Sequence, residues 1–296
     1  MANARDIKKR IKAVGNIRRI TKTMQMIATS KFAKAQLRAT ASKPYTEGIF
    51  DLVTQLAAKA GNISHPLIEG APSAAKNPEV VLVITSNRGL CGPYNGSILR
   101  AAMAYLRANQ NLAVEVAGKK GVGFFRFNGT PITIHTHLED KTTYADIEKI
   151  ANELMNRFIT GQIRGVKLIY MKYLSTARQK PEILQLLPLK PTAVKSEAAP
   201  GSPTGAAKAA SVEYEFSPPA EILLADLLPV TVRATLFQCY NDAIVSEHVA
   251  RMVAMKSATD NAGKMGKYFT RKYNRARQSQ ITTELTEIIS GAAALE

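Results

Sequence analysis

Residues 246–296 read SEHVARMVAMKSATDNAGKMGKYFTRKYNRARQSQITTELTEIISGAAALE, and this stretch decides the fold. It contains no proline, and its last apolar residues are spaced by four, three, four and three: Ile281, Leu285, Ile288, Ala292 and Leu295. This spacing is typical of the seam of a coiled-coil helix. We therefore predict that the chain ends in a long helix that requires a partner helix.

Upstream of Ile281 the same helix carries a second stripe and a strongly basic outer face. The stripe alternates spacings of three and four: Met252, Met255, Thr259, Ala262, Gly266, Phe269, Tyr273 and Ala276. The outer face holds Arg251, Lys256, Lys264, Lys267, Arg271, Lys272, Arg275 and Arg277. After Arg277 the only charged residues are three glutamates. The predicted helix thus has a basic shaft and an uncharged to acidic tip.

The first sixty residues predict another long helix. Its apolar stripe consists of Ile7, Ile11, Val14, Ile17, Ile20, Met24 and Ile27. Between Met1 and Lys43 twelve Lys or Arg residues oppose the single acid Asp6, so its exposed face is basic as well. Pro44 interrupts the pattern, and the segment GNISHP at 61–66 ends it.

Two amphipathic helices at opposite ends of one chain can cover each other's apolar stripes. We predict a long antiparallel two-helix coiled coil; the alternative is two separate helices packed on one globular core. The predicted organisation is an N-terminal coiled-coil helix (1–60), a central α/β domain (78–189), a flexible low-complexity insertion (190–211), and an edge strand with the C-terminal coiled-coil helix (212–296). We expect Pro229 to bend that last helix, as prolines do.

The central part alternates strand-like and helical segments. The run EVVLVIT at 79–85 is typical of a buried strand, and the further strand candidates are LAVEVA (112–117), PITIH (131–135) and VKLIYMKY (166–173). A helix follows the loop SNRGLCGPYN, and another is predicted from Tyr144 to Thr160. This alternation predicts a Rossmann-like α/β domain with a mostly parallel sheet.

No motif for catalysis or cofactor binding is recognisable in this α/β domain. The glycines near 89–96 and 118–123 fit neither GxGxxG nor the P-loop pattern. The four histidines do not cluster with acids, and Cys91 and Cys239 are far apart, so neither a metal site nor a disulfide framework is indicated. We expect no cofactor, no enzymatic activity of its own, and two reduced thiols.

The charge of the chain predicts an acidic partner. The formal net charge is +17 and the isoelectric point is about 9.9, which fits nucleic acid, an anionic membrane face or an acidic protein surface. The absence of Trp and the 6% aromatic content argue against single-stranded nucleic acid. No run of 18 apolar residues and no signal-peptide segment is present.

Three segments together resemble the gamma subunit of the F-type rotary ATP synthase. The opening RDIKKRIKAVGNIRRITKTMQMIATSKFAKAQ is similar to that family's amino-terminal helix. SNRGLCGPYN at 86–95 is similar to its S-D-R-G-L-C-G-x-[FY]-N loop, and residues 281–292 carry its carboxy-terminal signature I-T-x-E-x-x-[DE]-x-x-x-G-A. The resemblance covers the chain apart from the insertion.

The resemblance implies a central-stalk rotor subunit, present in one copy per complex. Such a subunit couples proton-driven rotation of the c-ring to the conformational cycle of the catalytic beta subunits, and its partners are the alpha and beta subunits, the epsilon subunit and the c-ring, with no nucleic acid. It implies a peripheral protein on the cytoplasmic face of a bacterial cell membrane. Without the resemblance, the alternative would be a basic coiled-coil adaptor for nucleic acid or anionic membrane.

By the same resemblance, several residues correspond to contact positions. Those expected to meet the ring of alpha and beta subunits are Arg251, Arg277, Gln278, Thr282 and Glu284, with Ile281, Leu285 and Ile288 in an apolar sleeve. Those expected nearer the epsilon subunit and c-ring are Lys31, Lys34, Arg88 and Tyr214.

Asn87 replaces the usual Asp of the family's loop and Pro93 a usual small residue or Gly, which puts a charge role of that loop in doubt. The insertion lies near the place of a thiol-regulated segment in chloroplast relatives but contains no cysteine, so we expect no redox switching through it.

Overall fold

Along the chain, a long helix comes first, the five strands of one sheet follow with their short helices, and a second long helix comes last. The computed structural model describes residues 4–60, 65–136, 142–189 and 219–293. The long helices are α1 (Ala4–Ala60) and α6 (Ala220–Ala293). Between them lie α2 (Pro66–Glu69), a 3-10 helix (Pro72–Lys76), β1 (Glu79–Ile84), α3 (Tyr94–Ala108), β2 (Leu112–Ala117), α4 (Lys119–Phe127), β3 (Ile134–Thr136), α5 (Tyr144–Ile159), β4 (Gly165–Tyr173) and β5 (Gln179–Leu187).

The chain forms two compact units, and each is described by itself. The helical unit comprises Met1–Lys31 and Ala250–Glu296, and the sheet unit comprises Phe32–Val249. The insertion at 190–211 and the expected edge strand after it lie outside the described residues. The domain limits inferred from the sequence remain a prediction.

The sheet has the order β3-β2-β1-β4-β5, in which the first four strands are parallel and β5 is antiparallel to β4. The predicted Rossmann-like domain with a mostly parallel sheet is therefore confirmed. Strands β1, β2 and β4 lie where the apolar runs placed them, whereas β3 begins at Ile134 and is shorter than expected. Helix α5 begins after Thr143, whose backbone N–H and hydroxyl both donate to the Asp146 carboxylate in a capping box.

Four elements were not predicted: α2, the 3-10 helix, helix α4 and strand β5. Helix α4 contains two glycines within nine residues, and glycine weakens a helical pattern because it costs about 1 kcal/mol relative to alanine. Strand β5 reads QKPEILQLL, and its Pro181 cannot donate a ladder hydrogen bond. Because β5 lies at the edge of the sheet, it tolerates this proline. Its antiparallel pairing through the turn after Tyr173 was likewise absent from the prediction.

The core of the sheet unit lies between one face of the sheet and three helices. It buries Val80, Leu82 and Ile84 of β1 together with residues of α5, α6 and α1. Phe158, 1% exposed, and Leu228, 0% exposed, are among the large side chains at its centre. Each fully buried side chain of this size contributes roughly 1.5–3 kcal/mol. This unit therefore has the dense apolar interior of an independently stable domain.

Within the helical unit, residues 4–31 of α1 run antiparallel to α6. The hydroxyl oxygens of Thr21 and Thr259 lie 2.8 Å apart. A Cβ placed on Gly263 would lie 3.7 Å from Nε of Arg18. Residue numbers that face each other therefore rise along α1 as they fall along α6. The two numbers of a facing pair add to about 280. All eight stripe residues of α6 from Met252 to Ala276 are buried or partly buried, which confirms the register predicted for that helix.

The register predicted for α1 is wrong beyond Val14. Ile17, Ile20 and Ile27 are 52%, 59% and 53% exposed, whereas Thr21 and Ala28 are 9% and 1% exposed. The covered positions follow a seven-residue repeat that admits small and polar side chains, because close approach to α6 favours small residues there. The prediction followed the largest apolar residues, and these lie on a face next to the one that contacts α6.

Both long helices run through their prolines, Pro44 in α1 and Pro229 in α6. By length and composition alone, α6 contains a window between Ile222 and Ala292 that could cross a membrane. One such helix is weak evidence, since a core helix of a globular protein meets the same test. Here Leu224, Leu228 and Val232 pack into the core of the sheet unit.

Candidate functional site

The last part of α6 lies beyond the amino-terminal end of α1. Since facing residue numbers add to about 280, Ala4 at the start of α1 faces Ala276, the last partly covered residue of α6. From Arg277 to Ala292 every side chain of α6 is exposed. At about 1.5 Å per residue, this segment extends for roughly 24 Å. We call residues 277–293 the tip.

The tip carries large apolar side chains that no described residue of the helical unit covers. Ile281, Leu285, Ile288 and Ile289 are 55%, 57%, 70% and 60% exposed. Burying a side chain of this size would contribute roughly 1.5–3 kcal/mol, so leaving four of them in water is unfavourable. A row of exposed apolar residues at coiled-coil spacing is typical of a surface that binds another protein.

Most hydroxyl groups of the tip are already used within the helix. Thr282, Thr283 and Thr286 each donate to the carbonyl oxygen four residues earlier, at 3.0, 3.0 and 2.8 Å. The side-chain amide of Gln280 donates to Glu284 at 2.9 Å. These threonines therefore direct methyl groups, and not free hydroxyl donors, towards a neighbouring surface.

The structure brings most of the expected ring-contact residues together on the tip. Arg277, Gln278, Thr282 and Glu284 are all exposed there, alongside the apolar residues Ile281, Leu285 and Ile288. Arg251 is different, because it is only 8% exposed and precedes Arg277 by about 39 Å of helix. Little of its surface is available to another subunit in this conformation, so its role as a contact residue is the weakest of the set.

The structure describes three of the four residues expected near the epsilon subunit and c-ring. Lys31 is partly buried at the end of the helical unit, while Lys34 and Arg88 are exposed in the sheet unit. Tyr214 lies outside the described residues. The assignment of these four residues to one contact region stays a prediction.

The loop at 86–95 leaves the carboxyl end of β1 and is closed by its own hydrogen bonds. The Asn95 amide donates to Oγ of Ser86 at 2.7 Å and to Sγ of Cys91 at 3.2 Å, and the Ser86 backbone N–H donates to Oδ1 of Asn95. Leu90 has a φ of 62°, a left-handed conformation that is unusual for leucine, and its side chain is 60% exposed. A rigid turn of this kind holds Leu90 at the surface.

The two departures in this loop have structural explanations. Oδ1 of Asn87 accepts the backbone N–H of Lys119 at 3.1 Å, so Asn87 caps the first turn of α4 from a distance. Pro93 occupies the N-cap position of α3, where its φ of −78° suits the proline ring. Asn87 therefore has a structural role that does not require the charge of an aspartate.

The same end of the sheet holds a close backbone contact. Gly118 has a φ of 101°, and a Cβ there would clash with the carbonyl oxygen of Thr85. Gly121 donates its backbone N–H to Oγ1 of Thr85 at 2.9 Å. In many α/β proteins a ligand binds at this edge of the sheet. Here Thr85 and the backbone of α4 fill the space with their own contacts.

Residues 238–242 of α6 hold a polar network that sequence reasoning missed. Ser42 donates to Oε1 of Gln238 at 2.9 Å, and Nε2 of Gln238 donates to Asp242 at 3.0 Å. Burial raises the pKa of Asp242 to about 7, although the Gln238 hydrogen bond and the charges of Lys172 and Lys43 act in the opposite direction. The Gln238–Asp242 spacing of four residues was the only available signal.

The part of the chain that the structure describes contains no group of three His, Cys, Asp or Glu side chains that could hold a metal ion. Cys91 and Cys239 are buried and free. Burial strongly raises the pKa of the Cys239 thiol, which favours its unreactive, protonated form.

The helical unit carries most of the positive charge. It holds seventeen Lys or Arg residues against five Asp or Glu, which leaves +12 of the chain's total of +17. All basic residues of the unit except Arg277 precede the tip, and the only charged residues of the tip after Arg277 are glutamates. An acidic partner surface would thus be drawn to the shaft, and an apolar one to the tip.

Comparison with known proteins gives one consistent result. Residues 3–295 match the family described as ATP synthase. A protein named ATP synthase gamma chain from Rhodopirellula baltica is 44% identical, with both chains fully covered, and one from Leptospira biflexa is 37% identical, again over both full lengths.

Solved structures agree on the fold. A chain from the rotor of the Euglena gracilis mitochondrial ATP synthase aligns with a TM-score of 0.62 and 18% identity, covering 94% of this chain and 98% of that one. A chain from the same organism's ATP synthase in rotational state 3 aligns with a TM-score of 0.68 and 18% identity, covering 99% and 94%.

Proposed function

The chain belongs to the ATP synthase gamma chain family, and from this premise we propose that it is the central-stalk rotor subunit of a proton-translocating ATP synthase. In this role it couples rotation of a c-ring to the conformational cycle of catalytic beta subunits. It does so in both directions, for ATP synthesis and for ATP hydrolysis.

The tip carries this proposal. Its row of exposed apolar residues from Ile281 to Ile289 has no partner among the described residues of the helical unit, which favours a contact with another protein. An apolar sleeve formed by a ring of alpha and beta subunits would provide that contact. The basic shaft behind it supplies solvated charges, and exposed charge pairs worth about 0–1 kcal/mol each can be exchanged as the shaft turns.

The chain transmits force and catalyses no reaction itself in this proposal. Motion depends on the two helices moving as one body, and the antiparallel seam with its Thr21–Thr259 contact joins them within the helical unit. Catalytic sites lie on the beta subunits, no cofactor is held by this chain, and one copy serves each complex. The further partners are the epsilon subunit and the c-ring, and the protein lies at the cytoplasmic face of a bacterial membrane.

Among the expected contact residues, we propose that Arg277, Gln278, Thr282 and Glu284 meet loops of the beta subunits. They share one exposed stretch of helix at the border between shaft and tip. Arg251 would join them only if the ring exposes it further, since 8% of its surface is accessible. Lys31, Lys34, Arg88 and Tyr214 remain proposed contacts to the epsilon subunit and c-ring.

Reconstitution tests the proposal directly. Alpha and beta subunits are combined with and without this chain, and assembly, ATP hydrolysis and rotation are measured. We expect the chain to enter the complex in a single copy and to raise hydrolysis. Equal hydrolysis without the chain would refute the rotor function, and steeply salt-dependent DNA binding by the isolated chain would favour the adaptor alternative.

Truncation of the tip sharpens the test. Deleting Ala292 to Glu296 should weaken assembly more than it impairs rotation, because a bearing contact contributes packing and not torque. Assembly is measured by co-purification with the ring, and coupling by rotation of complexes that do form. A truncated complex that assembles normally yet fails to couple would contradict this prediction.

A further inference from the structure

Within the sheet unit, α1 is packed through two stretches of different chemistry. Its last covered residues, Ile49, Val53 and Leu56, belong to the apolar core. Before them the covered positions carry small or polar side chains: Ala35, Ala39, Ser42 and Thr46. Pro44 also lacks the backbone N–H that would complete a helical hydrogen bond. Residues 35–46, which we call the middle segment, are therefore held with little apolar burial.

A chain of hydrogen bonds joins the middle segment to α6. The Ser42 hydroxyl donates to Oε1 of Gln238 at 2.9 Å, and Nε2 of Gln238 donates to Oδ1 of Asp242 at 3.0 Å. We propose that Asp242 is a proton-operated latch, which holds the middle segment on α6 while its carboxyl is protonated and lets the segment open when the carboxyl is ionised. The latch is a property of the sheet unit and does not depend on the rotor function.

The carboxyl group at the end of this chain is shielded from water. Asp242 is partly buried, and its neighbours on α6 from Cys239 to Asn241 and from Ala243 to Val249 are buried. Burial raises the pKa of Asp242 to about 7, against about 4 for a carboxyl in water. If the middle segment opens, water reaches the carboxyl and its pKa returns towards 4. The closed segment therefore binds the proton more tightly than the open one.

The cations near Asp242 already have acidic partners. Lys172 of β4 forms an ion pair with Glu182 of β5 at 3.0 Å, and Lys43 of α1 forms one with Glu47 at 3.6 Å on the exposed surface. Lys172 and Lys43 lower the pKa of Asp242 and Glu182 raises it, but burial outweighs the two lysines. The surroundings thus compensate an ionised Asp242 only in part.

Two further titratable groups lie close to Asp242, on β4 and on α6 itself. Burial raises the pKa of the Tyr170 phenol and of the Cys239 thiol, and the charge of Asp242 acts in the same direction. Both side chains therefore stay protonated between pH 5 and 8, so neither contributes a change of charge in this range.

The direction of the effect follows from proton binding. Between about pH 4 and pH 7 the closed segment keeps a proton that the open segment releases, so each pH unit makes opening about tenfold easier. Above pH 7 the carboxyl is ionised in both forms, and the effect levels off. The latch therefore holds more firmly at pH 5 than at pH 8.

Hydrogen exchange of the full chain between pH 5 and 8 tests the latch. Protection factors, which are corrected for the intrinsic pH dependence of exchange, are compared for the middle segment and for β1. We expect the middle segment to be less protected than β1 and to lose roughly 100-fold in protection across this range. Asp242→Asn should keep the high protection of pH 5 throughout. Asp226→Asn, which removes an exposed carboxyl from the same helix, should behave like the wild type.

Ser42→Ala tests the hydrogen-bond chain, because it removes the donor on α1 and leaves Asp242 in place. At pH 5 the variant should lower the protection of the middle segment about fivefold, as expected for one hydrogen bond, and leave β1 unchanged. Thr29→Ala is the matched control, since the exposed hydroxyl of Thr29 donates to the Gln25 carbonyl within α1. It should leave the middle segment unchanged.

Three outcomes would overturn the latch. Equal protection of the middle segment and β1 at every pH would show that Asp242 meets water only on global unfolding. A pH dependence that persists in Asp242→Asn would assign it to another group. Unchanged protection in Ser42→Ala at pH 5 would remove the hydrogen-bond chain as the link, and this variant decides the matter if the asparagine variant does not fold. None of these measurements requires alpha or beta subunits, so their result is independent of the rotor function.

Discussion

The sheet unit and the helical unit bury side chains of different kinds. In the sheet unit, large residues such as Phe158, Leu168 and Leu228 fill a continuous core. In the helical unit the covered positions include Thr21, Ala28 and Ala262, while isoleucines lie outside. Small seam residues contribute little hydrophobic free energy. The sheet unit thus buries most of the large apolar side chains, whereas the helical unit leaves several of its own exposed.

Charge follows the same division. The helical unit holds +12 of the total charge of +17, so the remainder of the chain carries +5. Like charges on two adjacent helices repel, which lowers the stability of the unit by itself. A partner surface that supplies acids removes this cost. We therefore expect the stability of the helical unit to depend on assembly more than that of the sheet unit.

The largest expected effect lies in the core of the sheet unit. Phe158 is 1% exposed, and replacing it by alanine should lower the free energy of unfolding by about 3–5 kcal/mol. Chemical denaturation of the isolated chain measures the loss. The matched control is Ile288→Ala on the tip, 70% exposed, which should leave the isolated chain unchanged. An equal loss from both variants would remove the distinction between the units.

Asp242 should make the sheet unit sensitive to pH. Burial raises its pKa to about 7, so the folded chain holds a proton that the unfolded chain releases near pH 4. Its contribution to stability is therefore greatest at low pH and is lost as pH rises to about 7, by roughly 2–3 kcal/mol between pH 5 and 8. Denaturation across this range should show that slope.

Asp242→Asn provides the control, because an amide keeps the shape and cannot ionise. The variant should lose the slope between pH 5 and 8 and retain the stability of the protonated state. Lys43, Lys172 and Glu182 are the charged groups that act on the pKa of Asp242. An unchanged slope in the variant would assign the pH dependence to other residues.

A smaller effect is expected from the polar seam of the helical unit. Thr259→Val removes the hydroxyl that lies 2.8 Å from that of Thr21, at a cost of about 1 kcal/mol. Hydrogen exchange of the amides between 250 and 276 should accelerate. Thr270→Val, whose exposed hydroxyl bonds only within its own helix, serves as the control. Assembly with the ring should reduce the difference between the two variants.

The smallest effect concerns the loop at 86–95. Asn87→Asp would place a negative charge beside the first turn of α4, where its oxygen already accepts the Lys119 N–H. A charge at a helix amino terminus stabilises by about 0.3–1 kcal/mol. Thermal unfolding should therefore shift slightly upward for Asn87→Asp and downward for Asn87→Ala. A fall in stability for the aspartate variant would contradict the capping role.

Sequence reasoning predicted the elements that have a strong periodic pattern. The runs EVVLVI and LAVEVA became β1 and β2, because buried parallel strands require continuous apolar residues. The predicted register of α6 was also correct, because its small and apolar residues from Met252 to Ala276 fit one stripe only. Helix α4 and strand β5 were not predicted because the glycines of α4 and the proline of β5 are unfavourable in a helix and a strand. Tertiary contacts offset these unfavourable local propensities in the folded chain.

The contact residues of the tip were expected from the resemblance to the gamma-subunit family. Their heptad spacing alone predicted a partner helix, and no described residue of α1 reaches that far. The burial of Arg251 was not predicted, because it depends on tertiary packing that cannot be inferred from the order of residues along the chain. Ile17, Ile20 and Ile27 of α1 were assigned to the seam although they are exposed, for a related reason. Hydrophobicity alone does not say whether a side chain faces its own partner helix or another protein.

The threonine hydroxyls of the tip have a mechanical consequence. Thr282, Thr283 and Thr286 donate within their own helix, so a protein surface that slides past them need not break hydrogen bonds to those groups at every step. Each such bond would add about 1 kcal/mol to the barrier between successive angles. Inside the proposed sleeve, these side chains would offer smooth methyl surfaces and little friction.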